Sequence, residues 1–140
     1  DAPVASDTLT RQQMRHLYAQ SDAFILPTRG EGYGLPVAEA MAMRLPVIVT
    51  NHSGVTAYAT EDNAYLIPVD YTTPNPYGYV EPDVESLIVL LRRVYQHPTE
   101  RKAKGEAGRA TIAAITPESV VNRMSARVRM LVGRRGWFDY

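Results

Sequence analysis

The chain predicts an α/β domain with an open sheet of about three strands and several helices. Three observations carry this prediction. Short apolar runs at Ala23 to Pro27, Pro46 to Thr50 and Ala64 to Val69 have the length and residue types of buried strands. The first leads through a glycine-rich loop into Val37 to Met43, where every residue is compatible with a helix. From Asp83 onward, apolar residues recur at helical spacing, as Leu87, Leu90, Leu91 and Val94 do.

In chain order, Asp1 to Ser6 reads as a loose lead-in, and Asp7 or Thr8 as the cap of a helix running to about Gln20. Leu9, Met14, Leu17 and Tyr18 supply its apolar face. The strand Ala23 to Pro27 is followed by Arg29-Gly30-Glu31-Gly32-Tyr33-Gly34-Leu35-Pro36. Pro36 suits a first helical position, where its missing N–H costs nothing. A second strand, β-branched after Pro46, enters the turn Asn51-His52-Ser53-Gly54 and another helix start through Val55 to Ala59. Thr60 to Asn63 form a turn before the third strand. Asp70 to Pro82 carries Tyr71, Tyr77 and Tyr79 among Pro74, Pro76 and Pro82, so an irregular loop insertion is expected. Its tyrosines either pin the loop or stack on a sugar. Helices fill 83–132: one capped by Asp83 and ended by His97-Pro98, one capped by Thr99, and one started by Thr116-Pro117-Glu118. Glu100, Arg101, Lys102, Lys104 and Glu106 form a solvated face on the second of these. Val120, Val121, Met124, Val128 and Leu131 lie along the last, before the tail Arg134 to Tyr140.

Composition excludes several functions. With 140 residues, 45% hydrophobic and 21% charged, the chain is one globular domain or part of one. Fifteen Lys plus Arg balance fifteen Asp plus Glu, which leaves no electrostatic case for nucleic acid or an anionic membrane as partner. Without cysteine there is neither a disulfide frame nor a thiolate zinc site, and no run approaches the ~20 apolar residues of a membrane span. The start at Asp1, with neither methionine nor signal sequence, is what a trimmed piece would show.

The chemistry concentrates in the glycine loop. Its backbone can approach a ligand closely, and the N–H groups of the following helix start attract anions such as phosphate. Glu31 in the loop and Glu39 near the helix start are separated by seven residues. Ligands of open α/β sheets bind at the carboxyl ends of the strands, where both carboxylates can face. Carboxylates beside a phosphate site make sense as acceptors for neutral hydroxyls, those of a ribose and a sugar. An ordinary βα turn with Glu39 complementing the helix dipole is the alternative on physics alone. His52 and Ser53 lie outside any Gly-x-Ser-x-Gly elbow, and His52 reads as a hydrogen-bonding loop residue rather than a catalyst.

Glu-Gly-Tyr-Gly-Leu-Pro-Val-Ala-Glu-Ala-Met-Ala at 31–42, followed by Leu-Pro-Val-Ile-Val-Thr at 45–50, closely resembles the donor-binding signature of retaining GT-B glycosyltransferases. The similarity runs from about Leu9 to Val132 and is densest from Ser21 to Val69. It implies that residues 1–140 are a partial C-terminal donor domain, the second half of a Rossmann-like parallel sheet that has six strands in the family. Glu31 would then be catalytic, contacting the transferred sugar. Gly32, Tyr33, Gly34, Leu35, Val37 and Glu39 would bind the donor, Glu39 through the ribose hydroxyls. The family needs no metal or other cofactor, its partners are a nucleotide-sugar, an acceptor that the sequence leaves unknown and an N-terminal domain, and a cytoplasmic location is expected, free or at a membrane face. Where the family ends the helix after the loop with glycine, this chain has Arg44, so the turn is expected to differ locally. The first strand is expected to leave an unpaired edge open to self-association, and the isolated chain to be inactive. A sugar-nucleotide-binding module without catalysis, and a GT-B-fold epimerase or phosphorylase, remain alternatives.

Overall fold

The computed structural model describes residues 9–72, 77 and 79–135. Helix α1 (Arg11–Ala19) precedes strand β1 (Phe24–Leu26), helix α2 (Leu35–Ala42), strand β2 (Val47–Thr50), a 3₁₀ turn (Ser53–Ala57) and strand β3 (Tyr65–Ile67). Strands β4 (Val69–Asp70) and β5 (Glu81–Pro82) follow, then helices α3 (Val84–Gln96), α4 (Pro98–Ala113) and α5 (Pro117–Arg135). The sheet β1-β2-β3 is parallel, with Ile25 opposite Ile48 and Ile48 opposite Tyr65.

The central strand shows why this arrangement holds. All four residues of β2 are buried, because parallel strands joined by helical crossovers are covered on both faces. Val47 and Val49 pack with Val37 and Met41 of α2 and with Leu45, Val55 and Tyr58. On the opposite face Ile48, Tyr65 and Ile67 meet Val94, with Leu87 and Leu90 against them. The sheet is thus sandwiched between α2 and α3, and α4 packs behind α2. Each large aliphatic side chain fully buried here stabilises by roughly 1.5–3 kcal/mol.

Several sequence expectations need correction. The cap of α1 is Thr10, in a reciprocal capping box with Gln13. The expected caps Asp7 and Thr8, like the lead-in, lie outside the described residues. Thr10 wins because Gln13 stands at the third helical position and bonds back, satisfying two helix-start donors. The third strand stops at Ile67, because Pro68 has no N–H to continue the ladder. The stretch beyond it is not wholly irregular: Val69 pairs with Pro82 and Asp70 with Glu81 as a short antiparallel ladder. Pro82 is tolerated there on an edge. Pro74, Asn75, Pro76 and Gly78 are outside the described residues, as are residues 136–140 of the tail. Pro98, not Thr99, opens α4, taking an early helical position directly after the His97 cap. Leu91 turns away from the core that Leu87, Leu90 and Val94 form, at 38% exposure. Leu9 and Leu17 are exposed as well, so α1 packs through Met14 and Tyr18.

Arg44 is where the departure from glycine was expected to alter a turn. It does not. Arg44 adopts φ 63°, its N–H donates to Met41 O at 2.9 Å, and Leu45 N–H reaches Ala40 O at 3.0 Å. Those two bonds and the buried Leu45 complete the helix stop that glycine usually provides. Helix α4 holds the strained turn in place. A Cβ on Gly105 would lie 2.2 Å from the Arg44 carbonyl, Arg44 Nε bonds Glu106 at 3.1 Å, and Arg109 donates to Ala42 O at 2.7 Å. The charged face of α4 is therefore tied down rather than merely solvated: Glu100 pairs with Arg93 at 2.7 Å, and Lys104 donates to Ala64 O and Glu61 O.

Candidate functional site

Parallel β1 and β2 end side by side, with Leu26 opposite Val49, and each opens into a loop at the same end of the sheet. The loop after β1 is the glycine-rich stretch 29–34; the loop after β2 is 51–54. Ser53 Oγ accepts the Glu31 N–H at 2.8 Å, and Gly54 N–H donates to Glu31 O at 3.0 Å. The approach is so close that a Cβ on Gly54 would fall 1.8 Å from Gly32 O. Glu31 is thus held by both polar groups of its backbone.

Tyr58 secures the next two residues. Its hydroxyl lies 2.8 Å from Tyr33 O and 2.9 Å from Gly34 O, and its ring packs on Tyr33 with centroids 5.0 Å apart. Burial, then the neighbouring Tyr33 and Glu31, push the Tyr58 hydroxyl up to about 12, so it stays a donor across the physiological range. Gly34 caps α2 with φ 78°, and its missing side chain makes room for Val55, whose methyl would stand 2.6 Å from a Cβ. No other residue type fits that position without displacement.

On the first turns of α2, Tyr18 donates its hydroxyl to Glu39 Oε2 at 3.0 Å. Burial first, and then the Glu39 carboxylate, raise Tyr18 to about 12. Gly32, Tyr33, Leu35 and Glu39 are exposed at the loop and helix start, and Glu31 is half-buried. Val37 is different: its side chain is in the core and its N–H closes the first turn on Gly34 O at 3.0 Å. From the other side Tyr79 lies against Gly30, Val80 N–H reaches Arg29 O at 3.2 Å, and Arg29 pairs with Glu81 at 2.6 Å. The tyrosine segment therefore covers the start of the loop, Tyr79 itself being about half exposed. His52 is a loop residue, its Nδ1 3.5 Å from the Tyr71 hydroxyl.

The residues that hold this loop escaped sequence reasoning in their roles. Ser53 stood out only as an unsupported nucleophile, and Gly54 only as part of a turn. Tyr18 and Tyr58 act across 21 and 25 positions, a distance that local pattern does not encode. Among the described residues, no three His, Cys, Asp or Glu side chains are grouped to hold a metal ion.

The arrangement can be set beside known proteins. The chain is 29% identical over 106 residues to sulfoquinovosyl transferase SQD2 of Arabidopsis thaliana, which covers 76% of this chain and 19% of that protein. It superposes on sucrose-phosphate synthase of Thermosynechococcus elongatus with TM-score 0.61 and 23% identity, over 84% of this chain and 27% of that one. It superposes on Anabaena HepE, solved in complex with UDP, with TM-score 0.58 and 18% identity, over 81% of this chain and 29% of that one. The two superpositions establish the fold. The chain spans about a fifth of the curated relative's length and under a third of each of these solved chains. The profile of the family described as Glycosyl transferases group 1 matches residues 6–75, half of the chain and the half that contains both loops. The chain belongs to the group 1 glycosyl transferases.

Proposed function

We propose that this chain supplies the donor half of a retaining glycosyltransferase site, which moves a hexosyl group from a nucleotide-sugar to an acceptor hydroxyl. One observation carries the reading. The Glu31 backbone is fixed from both sides at the carboxyl end of the sheet, in the loop that leads directly into α2. Preorganised groups at such a place stabilise developing charge most effectively.

In this reading Glu31 contacts the transferred sugar, and its carboxylate supports the oxocarbenium-like centre that forms as the glycosidic bond to the diphosphate breaks. Glu39 accepts hydrogen bonds from the ribose hydroxyls. Tyr18 donates to Glu39 Oε2 and steadies the carboxylate, which keeps Oε1 and a second lone pair of Oε2 for the ribose. Backbone N–H groups of Gly32, Tyr33, Gly34 and Leu35 face the sugar and diphosphate. Val37 serves by closing the first turn of α2, because its N–H is already engaged. The leaving diphosphate is offset by the positive end of α2 and by protein cations, with no metal required. The remaining cations, the acceptor site and an N-terminal domain belong to a longer polypeptide working in the cytoplasm; the 140-residue chain alone is expected to transfer no sugar.

The test uses a full-length enzyme that carries this chain, assayed for transfer from UDP-glucose, GDP-mannose and ADP-glucose. Glu31→Gln is expected to lower kcat by about two orders of magnitude, the scale of losing one transition-state group. Glu39→Ala is expected to raise the donor KM about tenfold, with kcat changed less, as losing a charged hydrogen bond to the ground state predicts. Wild-type kinetics in both variants would refute the assignment.

A further inference from the structure

We propose that Ser53 is a positioning residue: it aims Glu31 by holding its peptide, and it accepts a strained backbone to do so. The inference rests on the proposed role of Glu31 and extends it to a residue with no assigned part in the site.

Two facts about Ser53 conflict unless its hydroxyl has work of its own. It adopts φ 62°, a conformation that glycine reaches freely and a residue with a Cβ reaches only at a cost. The next residue, Gly54, is the one forced by sterics, since its Cβ would strike Gly32 O. Nothing steric requires a side chain at 53. What the side chain supplies is an acceptor for the Glu31 N–H at 2.8 Å, while Gly54 N–H takes the Glu31 carbonyl at 3.0 Å. Ser53 O is itself fixed by the Thr56 hydroxyl at 2.7 Å. The turn after β2 thus grips one residue of the loop after β1 at both ends of its backbone. That grip sets the direction in which the Glu31 side chain leaves the chain. Strain that persists because its surroundings determine it is common where geometry must be kept.

Stability and function then separate under substitution. Ser53→Gly releases the strain and removes the acceptor. Ser53→Thr keeps the acceptor and worsens the strain, because a β-branched residue fits positive φ poorly. Three readouts are compared: thermal midpoint, hydrogen exchange of the Glu31 amide in the 140-residue chain, and kcat and KM of the full-length enzyme on whichever of the three donors above it uses. Ser53→Gly is expected to melt at or above wild type, yet to lose about tenfold in Glu31 amide protection and about tenfold in kcat, with KM moved less. Ser53→Thr is expected to melt lower and keep protection and kcat within about twofold of wild type.

If kcat instead follows the melting order, with the glycine variant as active as wild type and the threonine variant impaired, Ser53 is only structural and the proposal falls. A wild-type kcat in Glu31→Gln would overturn the role of Glu31 and this proposal with it. An inactive Glu31→Gln beside a fully active Ser53→Gly would overturn the positioning role alone.

Discussion

At the scale of single residues, two hydroxyls in the core reveal a cost that the fold tolerates. Thr50 Oγ1 and Tyr65 Oη are buried with no hydrogen-bond partner among the described residues. Tyr65 is compensated in part by Lys104 and Arg93, whose cations lie 5.0 and 5.9 Å from its ring centre. Thr50 has no such compensation, and valine has its shape without its polarity. Thr50→Val is therefore expected to raise stability by about 1 kcal/mol, read as a shift in the urea midpoint at constant slope. Tyr18 and Tyr58 make a separate prediction. Both titrate near 12 in the folded chain and near 10 when unfolded. The unfolded state therefore loses these protons first as pH rises. Their stabilisation is full below about pH 10 and declines toward pH 12. Denaturation series at about pH 9 and 11 are expected to show that decline, and Tyr58→Phe to flatten it while costing about 1 kcal/mol at neutral pH. An unchanged slope in Tyr58→Phe would contradict the assigned cause. None of this was legible beforehand: a tyrosine in the sequence shows neither its burial nor which carbonyl it meets.

At the scale of elements, the stop of α2 joins local and tertiary forces. Arg44 sits where glycine would be relaxed, and the two bonds of the helix stop form regardless. Its exposed ion pair with Glu106 is worth little. The neighbouring α4 backbone, brought within reach by Gly105, holds the turn. Arg44→Gly is expected to stabilise by up to about 1 kcal/mol through relief of the left-handed conformation. Gly105→Ala is expected to destabilise by about 1–3 kcal/mol by pushing α4 off the Arg44 carbonyl, although alanine favours helix more than glycine does. Equal stability of Gly105→Ala and wild type, by thermal melting, would show that α4 can retreat without loss. The elements themselves were largely readable, because β2 is one uninterrupted apolar run and the loop-to-α2 transition carries Gly34 and Pro36 in sequence. The β4-β5 pairing was not. Its partners are separated by a proline-rich stretch, and the pairing depends on Asp83 N–H meeting Pro68 O at 2.9 Å after the chain has turned back.

At the scale of the whole molecule, the sheet exposes what its neighbours do not cover. Among the described residues β1 pairs only with β2, and Ile25, in register with the fully buried Ile48, remains 41% exposed. An edge with an apolar residue facing water invites pairing with another chain. We expect the isolated chain to self-associate with rising concentration in light scattering, and Ile25→Lys to suppress this; a monodisperse wild-type monomer would contradict it. Among the described residues no helix is long and apolar enough to cross a membrane. The fold class and the 31–39 stretch could be read from sequence because local pattern encodes both. The grip of one loop on the other could not, since it forms only when β1 and β2 lie side by side. The central claim is that this stretch binds a nucleotide-sugar through Glu39. Ligand-observed NMR of the chain with UDP, GDP and ADP and their common sugars, repeated on Glu39→Ala, tests it most directly. The account predicts a nucleotide-sugar signal in the wild type that the variant loses. A signal of equal strength in Glu39→Ala would contradict the claim and move the site elsewhere.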